Sequence, residues 1–317
     1  MSALLVLLLV VYAAVAGRWG DRVLAGSSWT TAHPALGRRA WSTLSASCFL
    51  SVTVALLLTS HDVLEHALMW AMHADKAELH EQYAGALPVV IAWNGAALLL
   101  VAMLVVVGSA ALREATSVAR SRRDVRRCLV GAPRMLAGTA VWVVPGSTPA
   151  AWCCPGRRGA VIITEAAERS LEPTALLALV AHEAGHLDRH HHRAVLVAAV
   201  IGRLARRVGL LVNMEDRVRL LVELEADDNA IRRHGRRPLM LALLAVGMGS
   251  TGAGALGAGG SSVSSRIKRL VEDPDVGRRR MSSVQQRAST LAMTLLLCVP
   301  VAALFLPGAL VAGSAHP

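Results

Sequence analysis

Residues Ala84–Leu112, AGALPVVIAWNGAALLLVAMLVVVGSAAL, run without one charged side chain. A helix needs roughly 20 apolar residues to cross a bilayer, and this stretch has them to spare. Working outward, three more segments have the same character: Ala3–Gly17, which is the shortest, then Trp41–Ser60 and Thr290–Gly313. Pro300 and Pro307 interrupt the last, which a membrane helix tolerates where neighbours satisfy the freed backbone groups. The whole chain of 317 residues is 54% hydrophobic and 17% charged. Soluble domains carry about 25% charged residues, and disordered chains are far less apolar, so both classes are excluded. The sequence describes an integral membrane protein. Ala14-Val15-Ala16 resembles a signal-peptide cleavage site. However, no basic residue precedes the first apolar run and several follow it, so an uncleaved anchor is expected.

The charges set an expected orientation. Arg18, Arg22, Arg38 and Arg39 face a single Asp21 between the first two spans, whereas the loop between spans two and three holds Lys76 against Asp62, Glu65, Asp75, Glu78 and Glu81. Every Arg from Arg113 to Arg287 falls between spans three and four, and no Lys or Arg follows the fourth. Basic loops stay cytoplasmic. The N-terminus is therefore expected outside and the 113–289 segment inside, at a cell membrane of bacterial type. The net charge of +11 follows from this topology and from anionic headgroups. No nucleic-acid-binding motif accompanies it, so the expected partner of these charges is the lipid bilayer.

Within 113–289 the pattern becomes mixed α and β. Thr139–Pro145 and Ala160–Thr164 (AVIIT) read as short β-branched strands, with a turn through Pro155-Gly156 and Arg157-Arg158-Gly159 between them. Pro173 suits the first turn of a helix packed through Leu176, Leu177, Leu179, Val180 and Leu187. A second helix is expected from Glu215 to Arg233, ending near Gly235. Gly- and Ser-rich Val246–Ser265 reads as a mobile loop, and Arg266–Val271 as a helix returning to the membrane. Ala194–Val212 is apolar but broken by Arg203, Arg206 and Arg207, so it is expected on the membrane surface or under the domain. Cys48 and Cys298 lie in spans, and Cys128, Cys153 and Cys154 lack zinc-ribbon spacing. His61, His66, His73 and His80 in the acidic loop would form a stripe on a helix, read as an amphipathic cap.

The chemistry sits in Ala181-His182-Glu183-Ala184-Gly185-His186. Helical spacing puts His182 and His186 one turn apart on one face, so both imidazoles can reach one zinc ion, with Glu183 beside the metal as general base. A catalytic zinc takes three protein ligands. Glu223 and Asp227, in Glu223-Leu-Glu-Ala-Asp227, are four apart and share a face, so one can ligate while the other fixes a ligand histidine. Glu225 points away from them and reads as a surface charge. His192 is the rival third ligand, at the place an HExxHxxGxxH site would use. That site needs a glycine turn where Arg189 stands, in a stretch expected to continue as helix, so Glu223 is preferred. His190 and His191 read as a solvated or headgroup-facing cluster.

AHEAGH, LVELEADD, AAWCCPGRRGAVIIT and DDNAIRRHGRR, with three spans before and one after, resemble the BlaR/MecR-type antirepressor metallopeptidases of bacteria. The resemblance is close over about 140–240 and extends to the span layout. It implies an α-helical membrane protein with an inserted α+β zincin (gluzincin-like) metallopeptidase domain. Its parts would be three transmembrane helices in 1–112, a cytoplasmic zinc domain in 113–289, and a fourth span with a short tail in 290–317. It also implies one zinc on His182, His186 and Glu223, Glu183 as base, and cleavage of a cytosolic transcriptional repressor. The β-lactam sensors of that family carry a penicillin-binding domain after the last span. This sequence shows none, so sensing through such a domain is not expected. HtpX and CAAX-type membrane proteases share HExxH and ExxxD and form a second possibility. A membrane-anchored interaction protein with a structural or lost zinc site is a third. Zincins often add a Tyr or His for the oxyanion, but Tyr12 and Tyr83 are far from the internal segment, which leaves His234 or a nearby Arg. AVIIT, were it at a sheet edge, could pair with an extended substrate.

Overall fold

The computed structural model describes residues 2–71, 87–129, 131–155, 159–249, 259–273 and 281–314. Helix α1 (Ser2–Val15) passes through a π-helical turn, Ala16–Gly20, into α2 (Asp21–Gly26). Short α3 (Ser28–Ala32) leads into the long helices α4 (Pro34–Ala71) and α5 (Leu87–Cys128). Strands β1 (Arg134–Leu136), β2 (Thr139–Val144), β3 (Ala151–Cys154) and β4 (Ala160–Thr164) follow. The chain then runs through α6 (Glu165–Ser170), α7 (Pro173–Asp188), α8 (His191–Arg206), α9 (Met214–His234), α10 (Arg236–Gly249), α11 (Gly259–Glu272) and α12 (Ser283–Ser314).

Four helical stretches are long and apolar enough to cross a membrane: Leu4–Gly26, Pro34–Ser60, Gly95–Arg113 and Ser283–Ala303. Their outer faces carry exposed Leu4, Leu7 and Leu8 on α1 and Leu98, Leu99 and Val105 on α5, as surfaces in contact with lipid do. Inside, Leu9 packs on Val54, Ala55 and Ala303. The proline in α12 has a local remedy. Pro300 has no N–H for the carbonyl four residues back, that of Leu296, and Tyr12 Oη donates to this carbonyl at 3.2 Å while Ser47 Oγ donates at 2.5 Å. Replacing both (Tyr12→Phe with Ser47→Ala) is expected to strand that carbonyl and cost about 1–3 kcal/mol. Thermal unfolding in detergent measures this, and an unchanged midpoint would refute it.

Helix α4 is about 57 Å long at 1.5 Å per residue, against about 30 Å of hydrocarbon, so it reaches well past a bilayer. Trp41, Leu44 and Cys48 of α4 form a core with Ala198 of α8 and with Met214, Val218, Leu221 and Val222 of α9. The apolar Ala194–Val212 segment thus lies under the domain, with Ala198, Ala199 and Val200 buried. Asp21, itself buried, accepts from the Asn213 backbone N–H at 3.1 Å and side-chain amide at 2.6 Å, fixing the start of α9 to the membrane segment.

The sheet order is β1-β2-β4-β3, with β2 and β4 parallel and both outer pairs antiparallel. Two of these strands, β1 and β3, are additional to those expected. Strand β1 has three residues and turns into β2 through Ala137 and Gly138, both at positive φ, the two-residue hairpin geometry without its usual Asn-Gly signal. AVIIT is an inner strand, buried at all five positions, because β2 and β3 flank it and Val161 and Ile163 pack on Val180 and Ala184 of α7. It offers no edge to a substrate; β3 does. The Gly/Ser-rich segment is also partly helical. Helix α10 runs to Gly249 and α11 begins at Gly259, and the absence of a side chain on Gly247 admits Val263. Residues 250–258, 156–158 of the expected turn, and His73 and His80 of the expected stripe lie outside the described residues.

Candidate metal centre

Helix α7 lies between the sheet and α9, burying Ala178 and Ala181 against Ala230 and Ile231. Gly185 lets the two helices approach: a Cβ there would stand 3.1 Å from Asn229 Nδ2. Asn229 in turn donates to the Ala181 carbonyl at 2.9 Å. This close crossing places Glu223 of α9 opposite the two histidines of α7.

His182 Nε2 and His186 Nε2 are 3.2 Å apart. Glu223 Oε2 is 3.5 Å from the first and Oε1 is 3.5 Å from the second. These three residues form the one group of metal-ligating side chains found among the described residues. Zinc with bonds of about 2.0–2.1 Å has ligand atoms roughly 3.3 Å apart when tetrahedral, so the two histidine nitrogens have the spacing one zinc ion requires, and the carboxylate beside them completes a donor set of suitable chemistry. Asp227 Oδ1 lies 3.0 Å from His182 Nδ1, behind the ligand atom, where a carboxylate fixes a ligand histidine. His192 is not in the group. It stacks on His190, ring centroids 6.0 Å apart, and lines a separate cavity with Gly159, Leu187 and Asp188.

The turn after α7 departs from expectation. The helix ends at Asp188, and His190 adopts a left-handed conformation, φ 54°. The chain therefore breaks without a glycine at 189, and the break brings His191 rather than His192 against the site. His191 is 1% exposed, and its Nδ1 is 3.0 Å from His186 Nδ1; only His190 is the exposed histidine expected of the pair. Glu225 is likewise no surface charge, at 2% exposure. Its spacing does direct it away from Glu223 and Asp227, but the side it faces is covered by α4 and the α7–α8 turn. There it accepts from Arg38 Nε at 2.9 Å and Arg189 at 2.6 Å.

Arg266 of α11 enters from the far side. It is buried and donates to Asp227 through two nitrogens at 2.6 and 2.8 Å. A third nitrogen lies 2.9 Å from Glu223. His234 sits eleven residues beyond Glu223 on α9, about 16 Å along the axis, so the cation beside the site is Arg266. Its sequence surroundings, SSRIKRL, carry no chemical signal; only the return of α11 brings it in. Cys153 of β3 faces Glu183, so the β3 edge of the sheet borders the centre.

The electrostatics follow from this crowding. Burial raises the Glu183 carboxyl, with the Glu223 charge adding to the effect against His182 and Arg266. Burial also works against a charged His182, but hydrogen bonding to Asp227 and Glu223 outweighs it and lifts the imidazole to about 9. Burial and the His182 charge push His186 down to about 4. For Glu223 and Asp227, burial is overcome by the neighbouring cations, so both carboxyls stay well below the usual range. Burial and the Glu183 charge drive the Cys153 thiol up to about 12, leaving it protonated against the carboxylate.

No family model matches this chain, and neither a curated protein nor a solved structure is significantly similar to it.

Proposed function

We propose that this chain is an integral-membrane zinc endopeptidase of the gluzincin kind, acting on a cytosolic protein. One observation carries this: two imidazole nitrogens 3.2 Å apart each stand 3.5 Å from an oxygen of the Glu223 carboxylate, with Glu183 adjoining them in the chain. A purely structural zinc site is closed by four ligands, whereas a catalytic one keeps a position open and a base beside it. The BlaR/MecR-type resemblance adds the substrate class, a transcriptional repressor.

Zinc, when bound by His182, His186 and Glu223, supplies a Lewis acid for the peptide carbonyl and makes water acidic enough to ionise near neutrality. Glu183 accepts the proton of the attacking water and returns it to the leaving amine. Asp227 holds the His182 ring so that Nε2 points at the centre. Arg266 orients both the Glu223 and Asp227 carboxylates and keeps a fixed positive charge at the centre. An extended substrate pairs along the edge of β3, which borders the centre at Cys153.

The charge distribution supports a cytoplasmic site: the 113–289 segment holds 27 Arg and one Lys, and such loops are retained inside. Two measurements test this. In cells producing either the native chain or Glu183→Gln, mapping of protein N-termini is expected to reveal ends of a cytosolic protein that only the native chain generates. Membrane-impermeant thiol labelling of intact cells is expected to reach a cysteine placed near Asp75 but not one near Gly156. The reverse labelling pattern would refute a cytosolic substrate. Accumulation of misfolded membrane proteins alone in the Glu183→Gln strain would favour an HtpX-like quality-control protease.

A further inference from the structure

Behind His186 lies a second line of side chains that the proposed mechanism does not use. Glu225 Oε2 is 3.3 Å from His191 Nε2. His191 Nδ1 is 3.0 Å from His186 Nδ1, and the two rings meet edge-on at 4.9 Å. His186 Nε2 is the atom directed at Glu223 and His182. At the membrane end, Arg38 Nε donates to Glu225 at 2.9 Å and Arg189 donates at 2.6 Å. The line therefore begins on α4, one of the helices long enough to span a membrane.

The contact between two Nδ1 atoms holds a single proton, and its owner decides whether His186 can ligate. A carboxylate accepts and cannot donate. The negative charge of Glu225, 3.3 Å from Nε2, favours the proton of His191 on that nitrogen and so leaves Nδ1 bare. His186 must then carry its own proton on Nδ1, which leaves Nε2 bare for a metal. With no anion at 225, His191 is free to carry the proton on Nδ1 and drive that of His186 onto the ligand atom.

We propose that Glu225 and His191 are positioning residues that hold His186 in its metal-binding tautomer, and that Arg38 makes the membrane-spanning helix α4 part of this support. The proposal rests on the zinc-site assignment above. It gives the centre two unlike supports: Asp227 acts on His182 from within the domain, while His186 is held by two side chains that end on a membrane helix. Any displacement of α4 that withdraws Arg38 would reach His186 through Glu225 and His191.

The test uses the purified full chain and two readouts, zinc affinity by chelator competition and the visible absorption of the cobalt-loaded protein. His191→Phe keeps the ring but removes the acceptor, and is expected to weaken zinc binding by about 10–100-fold and to alter the cobalt bands. Glu225→Gln and Arg38→Ala should shift both readouts in the same direction, and Arg38→Lys should recover most of the loss. A merely structural role would lower the unfolding temperature without changing the cobalt spectrum of the folded protein. Folded His191→Phe with native affinity and spectrum would overturn the proposal. Should that variant not fold, a native spectrum in Arg38→Ala would overturn it equally. If the native chain binds neither zinc nor cobalt, the metal-site assignment falls as well; if it binds both and the variants are indifferent, only the positioning line falls.

Discussion

Glu183→Gln is expected to slow peptide hydrolysis by ~10²–10⁴-fold, the usual contribution of a positioned general base, while the protein retains one zinc per chain. The two halves of this expectation separate because Glu183 is not among the three converging ligand atoms. Glutamine preserves the size of the side chain and its capacity to accept a hydrogen bond from Cys153, but it cannot take up a proton. The His182–Asp227 and Glu223–Arg266 contacts remain as they are, so nothing holding the metal is disturbed. Hydrolysis of a fluorogenic peptide library by the detergent-solubilised protein, alongside metal analysis, measures both quantities. A variant that keeps the native rate would remove Glu183 as the base. A variant that loses its zinc would show instead that Glu183 is part of the metal site.

The parts of this protein that were legible in the sequence are those whose signal is local. Four apolar stretches announce four helices because a bilayer demands length and apolarity together. The pairing of His182 with His186, and of Glu223 with Asp227, follows from 3.6 residues per turn within single helices. What local sequence does not encode is which element covers which face. Helical spacing turns Glu225 away from Glu223, but that side is covered by Arg38 and Arg189, contributed from 187 and 36 residues away in the chain. Arg266 lies beyond a Gly/Ser-rich stretch, and nothing near it foretells that α11 returns to Asp227. His191 depended on a single backbone angle. A helix continued through Arg189 would carry it elsewhere, whereas the left-handed turn at His190 delivers it to His186. Helix–strand alternation was equally uninformative for β3, because AWCC is four residues long and contains only one strongly strand-favouring side chain.

Removing Glu223 should also separate it from its rival. Glu223→Ala is expected to weaken zinc binding by more than the 10–100-fold typical of groups behind the ligands and to abolish hydrolysis, whereas His192→Ala leaves both near native. Helix packing carries this ranking: Gly185 brings α9 close enough for both Glu223 oxygens to stand 3.5 Å from a ligand nitrogen, and the turn at His190 takes His192 toward Gly159 and Asp188. The fold should survive the loss of Glu223. Arg266 would lose one contact at 2.9 Å but keep its two hydrogen bonds to Asp227, so no buried cation is left unpaired, the situation that makes such truncations severe. Chelator competition on the folded variants, with circular dichroism as the check on folding, gives the ranking directly. If His192→Ala releases the metal and Glu223→Ala holds it, the third ligand is His192, and the close crossing of α7 and α9 serves packing alone.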